Sequence, residues 1–213
     1  MKPSDLIKIL DQYFIDAKVI AAHPVNYLRE LKLDERTLFV RGTTFFVLSI
    51  GVVFFLLIPA FWVHGRIVSP DMHQLVTLFG LVAFGILFHI SFKLLGGSGS
   101  LRETIGAYGF AGGAIAPVHA LLMYPTVLKF GPEFILLTSA PSYQAFLAKI
   151  NLEASDAVFI VVNMGASGVV TSVLVFLLAV PSFATVHGVG YAKSFAALLA
   201  PVLFLLFLVS MFS

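Results

Sequence analysis

The chain has 213 residues, of which 59% are hydrophobic and 11% are charged, and its mean hydropathy is +1.00. A soluble domain carries about 25% charged residues, so this composition excludes a water-soluble globular protein and indicates an integral membrane protein. The sequence holds no cysteine, which excludes disulfides, thiol nucleophiles, iron–sulfur clusters and cysteine zinc sites.

The first 42 residues are predicted to form a cytoplasmic helical segment. Ser4 is a suitable N-cap, and apolar side chains recur at three- and four-residue spacing up to Ala22, as in an amphipathic helix. Such a helix either lies in the membrane interface or packs on its own protein. Because Pro24 pushes His23 out of the helical region, the helix is predicted to end there, and a second short helix to cover residues 25–33.

Residues 43–213 are predicted to form a five-helix transmembrane domain, which makes the fold class all-α. Each apolar segment has roughly the 20 residues that cross a hydrocarbon core about 30 Å thick. The segments are predicted to be helices because the bilayer core offers no water to satisfy a bare backbone. No apolar signal-peptide core precedes the first span, so we expect that span to act as its own insertion signal. The predicted spans are about 43–63, 74–92, 104–127, 157–184 and 194–212.

The distribution of lysine and arginine predicts the orientation. With five spans, the N-terminal segment and the connections after the second and fourth spans lie on one side. They carry ten of the 13 basic residues, so the positive-inside rule places this side in the cytoplasm and the C-terminus outside. The long connection on the other side, residues 128–156, is predicted to hold a short amphipathic helix from Tyr143 to Ile150.

Two connections on the cytoplasmic side are rich in glycine. The first leads into the third span, where Glu103 favours a helix N-terminus and Arg102 can meet lipid phosphate. A glycine-rich tip can present N–H groups to an anion, but the lysine-serine/threonine end of a nucleotide-binding P-loop is missing, so nucleotide binding is rejected. The motif residues are Gly96, Gly97, Gly99, Arg102 and Glu103 in the first tip, and His187, Gly188, Gly190 and Lys193 in the second.

With these two tips the chain resembles the Yip (Ypt-interacting protein) family. The resemblance rests on Lys93-Leu94-Leu95-Gly96-Gly97, on Ser98-Gly99-Ser100-Leu101-Arg102-Glu103-Thr104, on a small-residue helix with Tyr108 and Pro117, on Val186-His187-Gly188-Val189-Gly190-Tyr191-Ala192-Lys193, and on the upstream His23-Pro24. It covers essentially the whole membrane region. It implies a five-helix membrane domain with a cytoplasmic N-terminus.

Eukaryotic members of that family are linked to vesicle traffic and to prenylated Rab-type GTPases. This chain departs from their pattern because only about 40 residues precede the first predicted span, without a long acidic or proline-rich tail. The departure argues against a GTPase partner. It favours a bacterial or archaeal member of the family in the cytoplasmic membrane.

Small residues in the third and fourth spans predict close helix packing. Inside lipid, helices gain nothing from water release and approach each other through small side chains. We therefore expect the third span to pack tightly on the fourth, with a substrate passage as the alternative. The predicted packing residues are Gly106, Gly109, Gly113, Pro117, Gly165 and Gly168.

Four polar side chains within the spans form a candidate intramembrane polar site. At 1.5 Å per residue, His119 and Asn163 lie at similar depth near the outer side and are placed to hydrogen-bond, whereas His89 shares its level with Tyr108. Polar groups at depth are often functional, although a neutral histidine satisfied by a neighbouring hydroxyl is the commoner case. His89 and His119 are too far apart to share a metal, so neither a metal nor a cofactor is expected.

The sequence therefore predicts a non-enzymatic, Yip-like membrane protein. It contains no serine–histidine–acid order, paired carboxylates or basic-aromatic surface for nucleic acid. We expect the protein to act through helix packing with the lipid bilayer, a second copy or another membrane protein, in membrane organisation or trafficking. The alternative is a small channel or transporter with a polar site near His119 and Asn163.

Overall fold

The computed structural model describes residues 3–32, 34–63, 71–130 and 154–212, and every regular element in these ranges is helical. The predicted all-α class is thus confirmed. The predicted amphipathic helix at Tyr143 lies outside the described residues. The helices are α1 (Pro3–Ala22), α2 (Pro24–Leu31), α3 (Glu35–Val63), α4 (Asp71–Leu94), α5 (Leu101–Phe130), α6 (Ala154–Leu174), α7 (Val180–His187) and α8 (Tyr191–Phe212).

Three of the described helical stretches are long and apolar enough to cross a membrane, which confirms the membrane character. They are Glu35–Val63, Leu101–Phe130 and Val158–His187, of 29, 30 and 30 residues. The third passes without a break from α6 to α7 through one π-helical turn, Val175–Ala179. Pro181 follows that turn, and its missing N–H accounts for the local change of hydrogen bonding. 

The first of these helices begins before its apolar part, at a polar cap. Asp34 accepts hydrogen bonds from the Arg36 backbone N–H at 3.1 Å and from the Thr37 hydroxyl. The Thr37 hydrogen bonds hold the pKa of the Asp34 carboxyl below its usual range, because they favour the charged form. The helix starts eight residues ahead of the predicted span and runs through the predicted boundary at residue 42.

The N-terminal helix α1 packs on α3 with one face and leaves another exposed. The ring of Tyr13 stacks on that of Phe45 with centroids 5.0 Å apart, and Ser49 Oγ donates to Tyr13 Oη at 3.3 Å. On the other face, Ile7 and Phe14 are 60% and 66% exposed. The two arrangements expected for this helix, packing and an interfacial position, therefore apply to different faces of one helix.

A buried polar cluster fixes α1 and α2 to the start of α3. Arg41 Nη2 donates to Asp16 Oδ1 at 2.5 Å and to Tyr27 Oη at 2.6 Å, and the Tyr27 hydroxyl donates to the same Asp16 oxygen at 2.5 Å. Asp16 is buried, and these hydrogen bonds replace the water that its carboxylate loses on burial. Burial, followed by the hydrogen bond to Asp16, raises the pKa of the Tyr27 phenol.

The glycines of α5 lie against α3 and not, as predicted, against the fourth span. A Cβ on Gly106 would lie 2.7 Å from the Leu38 carbonyl oxygen, and one on Gly109 would lie 2.6 Å from the Gly42 carbonyl carbon. The absence of a side chain at these α5 positions lets the two backbones approach this closely. Gly113, one turn further along α5, lies in the same way against Phe45 of α3.

The other predicted packing residues have different surroundings. A Cβ on Gly165 or Gly168 would meet no described atom within 4 Å, so these α6 glycines do not form the tight interface predicted for them. Pro117 lies inside α5, and the helix continues through it. A small residue in an apolar helix permits close approach without selecting the neighbour, which explains why the glycines of α5 lie against α3 although α5 also contacts α6.

Candidate functional site: a polar cap built from two distant tips

The two glycine-rich tips predicted from the sequence meet at one end of the helix bundle. The Ser98 backbone N–H and hydroxyl both donate to the His187 carbonyl oxygen, at 2.9 and 3.1 Å, although the two residues are 89 positions apart. Residues 95–104 and 186–193, which we call the polar cap, thus form one surface. All nine predicted motif residues of the tips belong to it.

Local backbone geometry explains why the first tip needs glycine. Helix α4 ends at Leu94, and Gly96 adopts φ 85°, a left-handed conformation that costs glycine little. This turn lets the Gly97 N–H donate back to the Phe92 carbonyl at 2.8 Å. Gly188 ends α7 in the same manner with φ 65°. In each tip the left-handed glycine therefore ends the helix and turns the chain sharply away from the helix axis.

The start of α5 is held by a reciprocal capping pair within the first tip. The Ser100 N–H donates to Glu103 Oε2 at 2.6 Å, and the Glu103 N–H donates to Ser100 Oγ at 3.1 Å. This capping box satisfies two donors that a helix N-terminus otherwise leaves free. The Ser100 hydroxyl also donates to Glu35 Oε1 at 2.9 Å, which joins the tip to the beginning of α3.

The imidazole of His187 occupies the centre of the polar cap and is only 1% exposed. Its ring stacks on Phe92 with centroids 4.2 Å apart and planes 8° apart. A Cβ on either Gly97 or Gly99 would lie 2.9 Å from His187 Nδ1, closer than side-chain carbons pack. These two glycines therefore make room for a histidine ring rather than for a phosphate.

A fully buried hydroxyl joins two histidines from different helices. Thr104 Oγ1 lies 3.0 Å from His187 Nε2 and 3.1 Å from His89 Nδ1, and it donates to the Ser100 carbonyl at 2.7 Å. A hydroxyl has one donor and two acceptor sites, so this set assigns the ring proton of His187 to Nε2 and that of His89 to Nδ1. His187 Nδ1 is then an acceptor, and it has no partner among the described residues.

The centre of this histidine–threonine–histidine bridge is closed to solvent. Thr104 and His187 are 0% and 1% exposed, so the hydroxyl and the ring nitrogen beside it are shielded from water. Among the described residues, no group of three His, Asp or Glu side chains is placed to hold a metal ion. The bridge links α4, α5 and α7 at the level where the two tips meet.

The hydrogen-bond partner of His89 was not predicted from the sequence. Depth along the sequence placed His89 level with Tyr108, and its ring bonds Thr104, one helical turn before Tyr108 on α5. The ring of Tyr108 packs edge-on against Phe88, the neighbour of His89, at 5.5 Å. Thr104, Ser98 and Ser100 are among the site residues that the sequence reasoning missed. Their polarity at the ends of apolar segments was the available signal.

Four basic side chains lie in or beside the polar cap. Lys93 Nζ donates to the Ser98 carbonyl at 3.3 Å, and Lys32 Nζ donates to the Val186 carbonyl at 2.5 Å, near the C-terminus of α7, where a cation is favoured. Arg102 and Lys193 are exposed on the same surface. Exposed apolar side chains accompany them: Leu94 is 81% and Tyr191 60% exposed.

The second group of predicted polar residues lies between α5 and α6, but His119 and Asn163 bond to other residues. His119 Nδ1 lies 3.0 Å from Thr171 Oγ1 and 3.2 Å from Ser167 Oγ, whereas Asn163 Oδ1 accepts from Thr126 at 2.5 Å. The three α6 residues recur every four positions and so share one face. On α5 His119 lies seven residues, nearly two helical turns, from Thr126, the partner of Asn163, which explains why the predicted pair does not form.

No family model matches the chain, and no curated protein or solved structure matches it.

Proposed function

We propose that this chain is a non-enzymatic, Yip-type membrane protein with five spans, whose polar cap is a docking surface for a partner protein in the same membrane. The observation that carries the proposal is the hydrogen bonding of Ser98 to His187, which makes one surface from two distant tips. A surface held by the bridge through Thr104 is preorganised, so little conformational entropy is lost when a partner binds. Its role would be membrane organisation or trafficking.

The five-span arrangement is supported by the lengths of the two remaining long helices. Helices α4 and α8 have 24 and 22 residues, about 36 and 33 Å at 1.5 Å per residue. Both lengths reach across a hydrocarbon core about 30 Å thick.

The proposed orientation puts the polar cap and the N-terminus in the cytoplasm of a bacterial or archaeal cell. The bond from Lys32 to the second tip supports this, since it brings the N-terminal segment to the same end of the bundle. That end then carries most of the basic residues, as the positive-inside rule requires.

The mixed character of the polar cap supports docking. Exposed Tyr191, with Leu94 just beside the cap, supplies apolar area, while Arg102 and Lys193 supply charge. Interfaces with an apolar centre and a polar rim have this composition, and aromatic and arginine residues are enriched in them.

Photocrosslinking in native membranes tests the proposal. A photoreactive amino acid is placed at Arg102 or at Lys193, and as a control at Val158, which is 62% exposed at the other end of the bundle. We expect one recurrent adduct from both cap positions and not from Val158. Monomers alone at the cap positions, or the same adducts from the control, would contradict it.

A small channel or transporter is the second candidate function, and the polar row between α5 and α6 favours it. His119, Ser167 and Thr171 lie together, and His119 is exposed on the described part of the protein. Flux of ions or solutes into liposomes is the test. Wild type that leaks no more than empty vesicles, at several pH values and voltages, eliminates this candidate.

A further inference from the structure

A groove between α1 and the beginning of α3 is separate from the polar cap and from the polar row. It encloses about 190 Å³ and is open along one side. Ile9, Phe45 and Leu48 contribute to its apolar walls, and Lys8 and Arg41 also line it. Neither the membrane character nor the polar cap requires such a space.

We propose that this groove holds part of one acyl chain of an anionic phospholipid, whose phosphate contacts Lys8 and Arg41. The proposal rests on the membrane placement and the cytoplasmic orientation in the proposed function, but not on a partner at the polar cap.

The size and lining of the groove fit a hydrocarbon chain. An apolar cavity of about 150 Å³ holds one benzene molecule, so about 190 Å³ accommodates a stretch of several methylene groups and is too small for a drug-sized ligand. From Arg41 to Leu48 the groove follows α3 for about 10 Å at 1.5 Å per residue. A chain lying there would continue into the bilayer through the open side.

Charge places the phosphate at one end of the groove. Arg41 is the last charged residue of α3, with only uncharged residues from Gly42 to Val63, so it marks the boundary between headgroups and hydrocarbon. Its side chain is 30% exposed while Nη2 is held by Asp16. Lys8 is exposed on α1 at the same groove. Asp16 balances one of the two cations, which leaves a net positive mouth.

The surroundings of the groove also face lipid rather than water. Ile7 and Phe14 of α1 are 60% and 66% exposed, and Val40 and Val47 of α3 are 50% and 48% exposed. An amphipathic helix with large apolar side chains on its outer face lies at the headgroup boundary. A lipid in the groove would therefore be continuous with the cytoplasmic leaflet.

Native mass spectrometry of the purified full chain tests the proposal. The protein in mild detergent is titrated with phosphatidylglycerol or phosphatidylcholine, with and without excess inorganic phosphate. We expect wild type to bind one phosphatidylglycerol selectively, and inorganic phosphate not to displace it. The variant Lys8→Gln should bind roughly five-fold more weakly, the factor that corresponds to about 1 kcal/mol per basic residue at an anionic surface.

Two further variants distinguish lipid binding in the groove from general electrostatic attraction of the lipid to exposed basic residues. Lys18→Gln removes an exposed lysine of the same helix that does not line the groove, and should leave binding unchanged. Thr44→Trp puts a large ring from an exposed lining position into the groove and should abolish the adduct without loss of fold, which the melting temperature checks.

Three results would overturn the proposal. They are equal binding of the two lipids, equal losses in Lys8→Gln and Lys18→Gln, and full binding by a folded Thr44→Trp variant. Crosslinking at the polar cap is read out separately, so a protein without a cap partner can still bind the lipid. Conversely, a protein with a cap partner can lack the lipid.

Discussion

The ring of His187 lies parallel to that of Phe92, with the two centroids 4.2 Å apart, and this stacking seats the second tip on the end of α4. The glycines of the first tip then close over the same ring. The end of the bundle is thus organised around one buried imidazole.

Substitution of Gly97 by alanine should destabilise the protein. The added Cβ would lie 2.9 Å from both His187 Nδ1 and the Phe92 carbonyl oxygen, and the backbone oxygen cannot rotate away. Overpacking of this kind costs about 1–3 kcal/mol. Thermal unfolding in detergent measures it, with Gly190→Ala as control, since a Cβ there meets nothing within 4 Å. Equal melting temperatures for the two variants would disprove the close packing.

Replacement of Thr104 by valine should break the bridge between α4, α5 and α7. The shape is kept, but His89 and His187 lose the oxygen to which both donate, and a buried group left unsatisfied costs about 1–3 kcal/mol. Thr185→Val is the matched control, because the Thr185 hydroxyl only bonds the Pro181 carbonyl of its own helix. Denaturant unfolding should show a clearly larger loss for Thr104→Val than for the control.

Alanine at Gly109 should loosen the α3–α5 contact, because its Cβ would lie 2.6 Å from the Gly42 carbonyl carbon. We expect a loss of about 1–3 kcal/mol, or about 2–4 °C in melting temperature for each kcal/mol. Gly51→Ala and Gly165→Ala are helical controls with open space, where alanine instead gains about 0.5–1 kcal/mol from helix propensity. A stabilising effect at Gly109 would contradict the observed packing.

The Asp16–Arg41 pair should show strong coupling in a double-mutant cycle. Asp16→Asn alone leaves Arg41 without its charged partner, and Arg41→Gln alone leaves a buried carboxylate, so each should cost about 1–3 kcal/mol. The double variant should lose less than the sum of the two, since both charges are gone. Additive losses in unfolding free energy would show that the pair contributes no coupling.

Tyr27 should make stability sensitive to alkaline pH. Burial and the bond to Asp16 raise the pKa of the phenol in the folded state, so the folded protein holds the proton more tightly than the unfolded chain. This contribution is fully present below the ordinary tyrosine pKa of about 10 and is lost as the pH rises above it toward the raised folded value. Melting temperatures of wild type should therefore fall more steeply above this pH than those of Tyr27→Phe.

Hydropathy and local signals in the sequence were sufficient for the helices and for the membrane class. A long apolar segment must be helical in lipid whatever it packs against, and the break at His23–Pro24 and the helix start at Glu103 depend only on neighbouring residues. These features were predicted correctly as far as the described residues reach. The exception is α3, which begins at Glu35, ahead of the apolar segment predicted from residue 43.

Which helix faces meet was decided only by the tertiary structure. The long helices are apolar all round, so periodicity does not show which side of α5 is turned inward, and the glycines permit contact with any neighbour. Gly42 is one of two glycines in α3, and its match to Gly106 and Gly109 appears only when the two helices lie side by side. In the same way His187 needs Thr104 and Phe92, which come from two other helices, before its burial has a physical explanation.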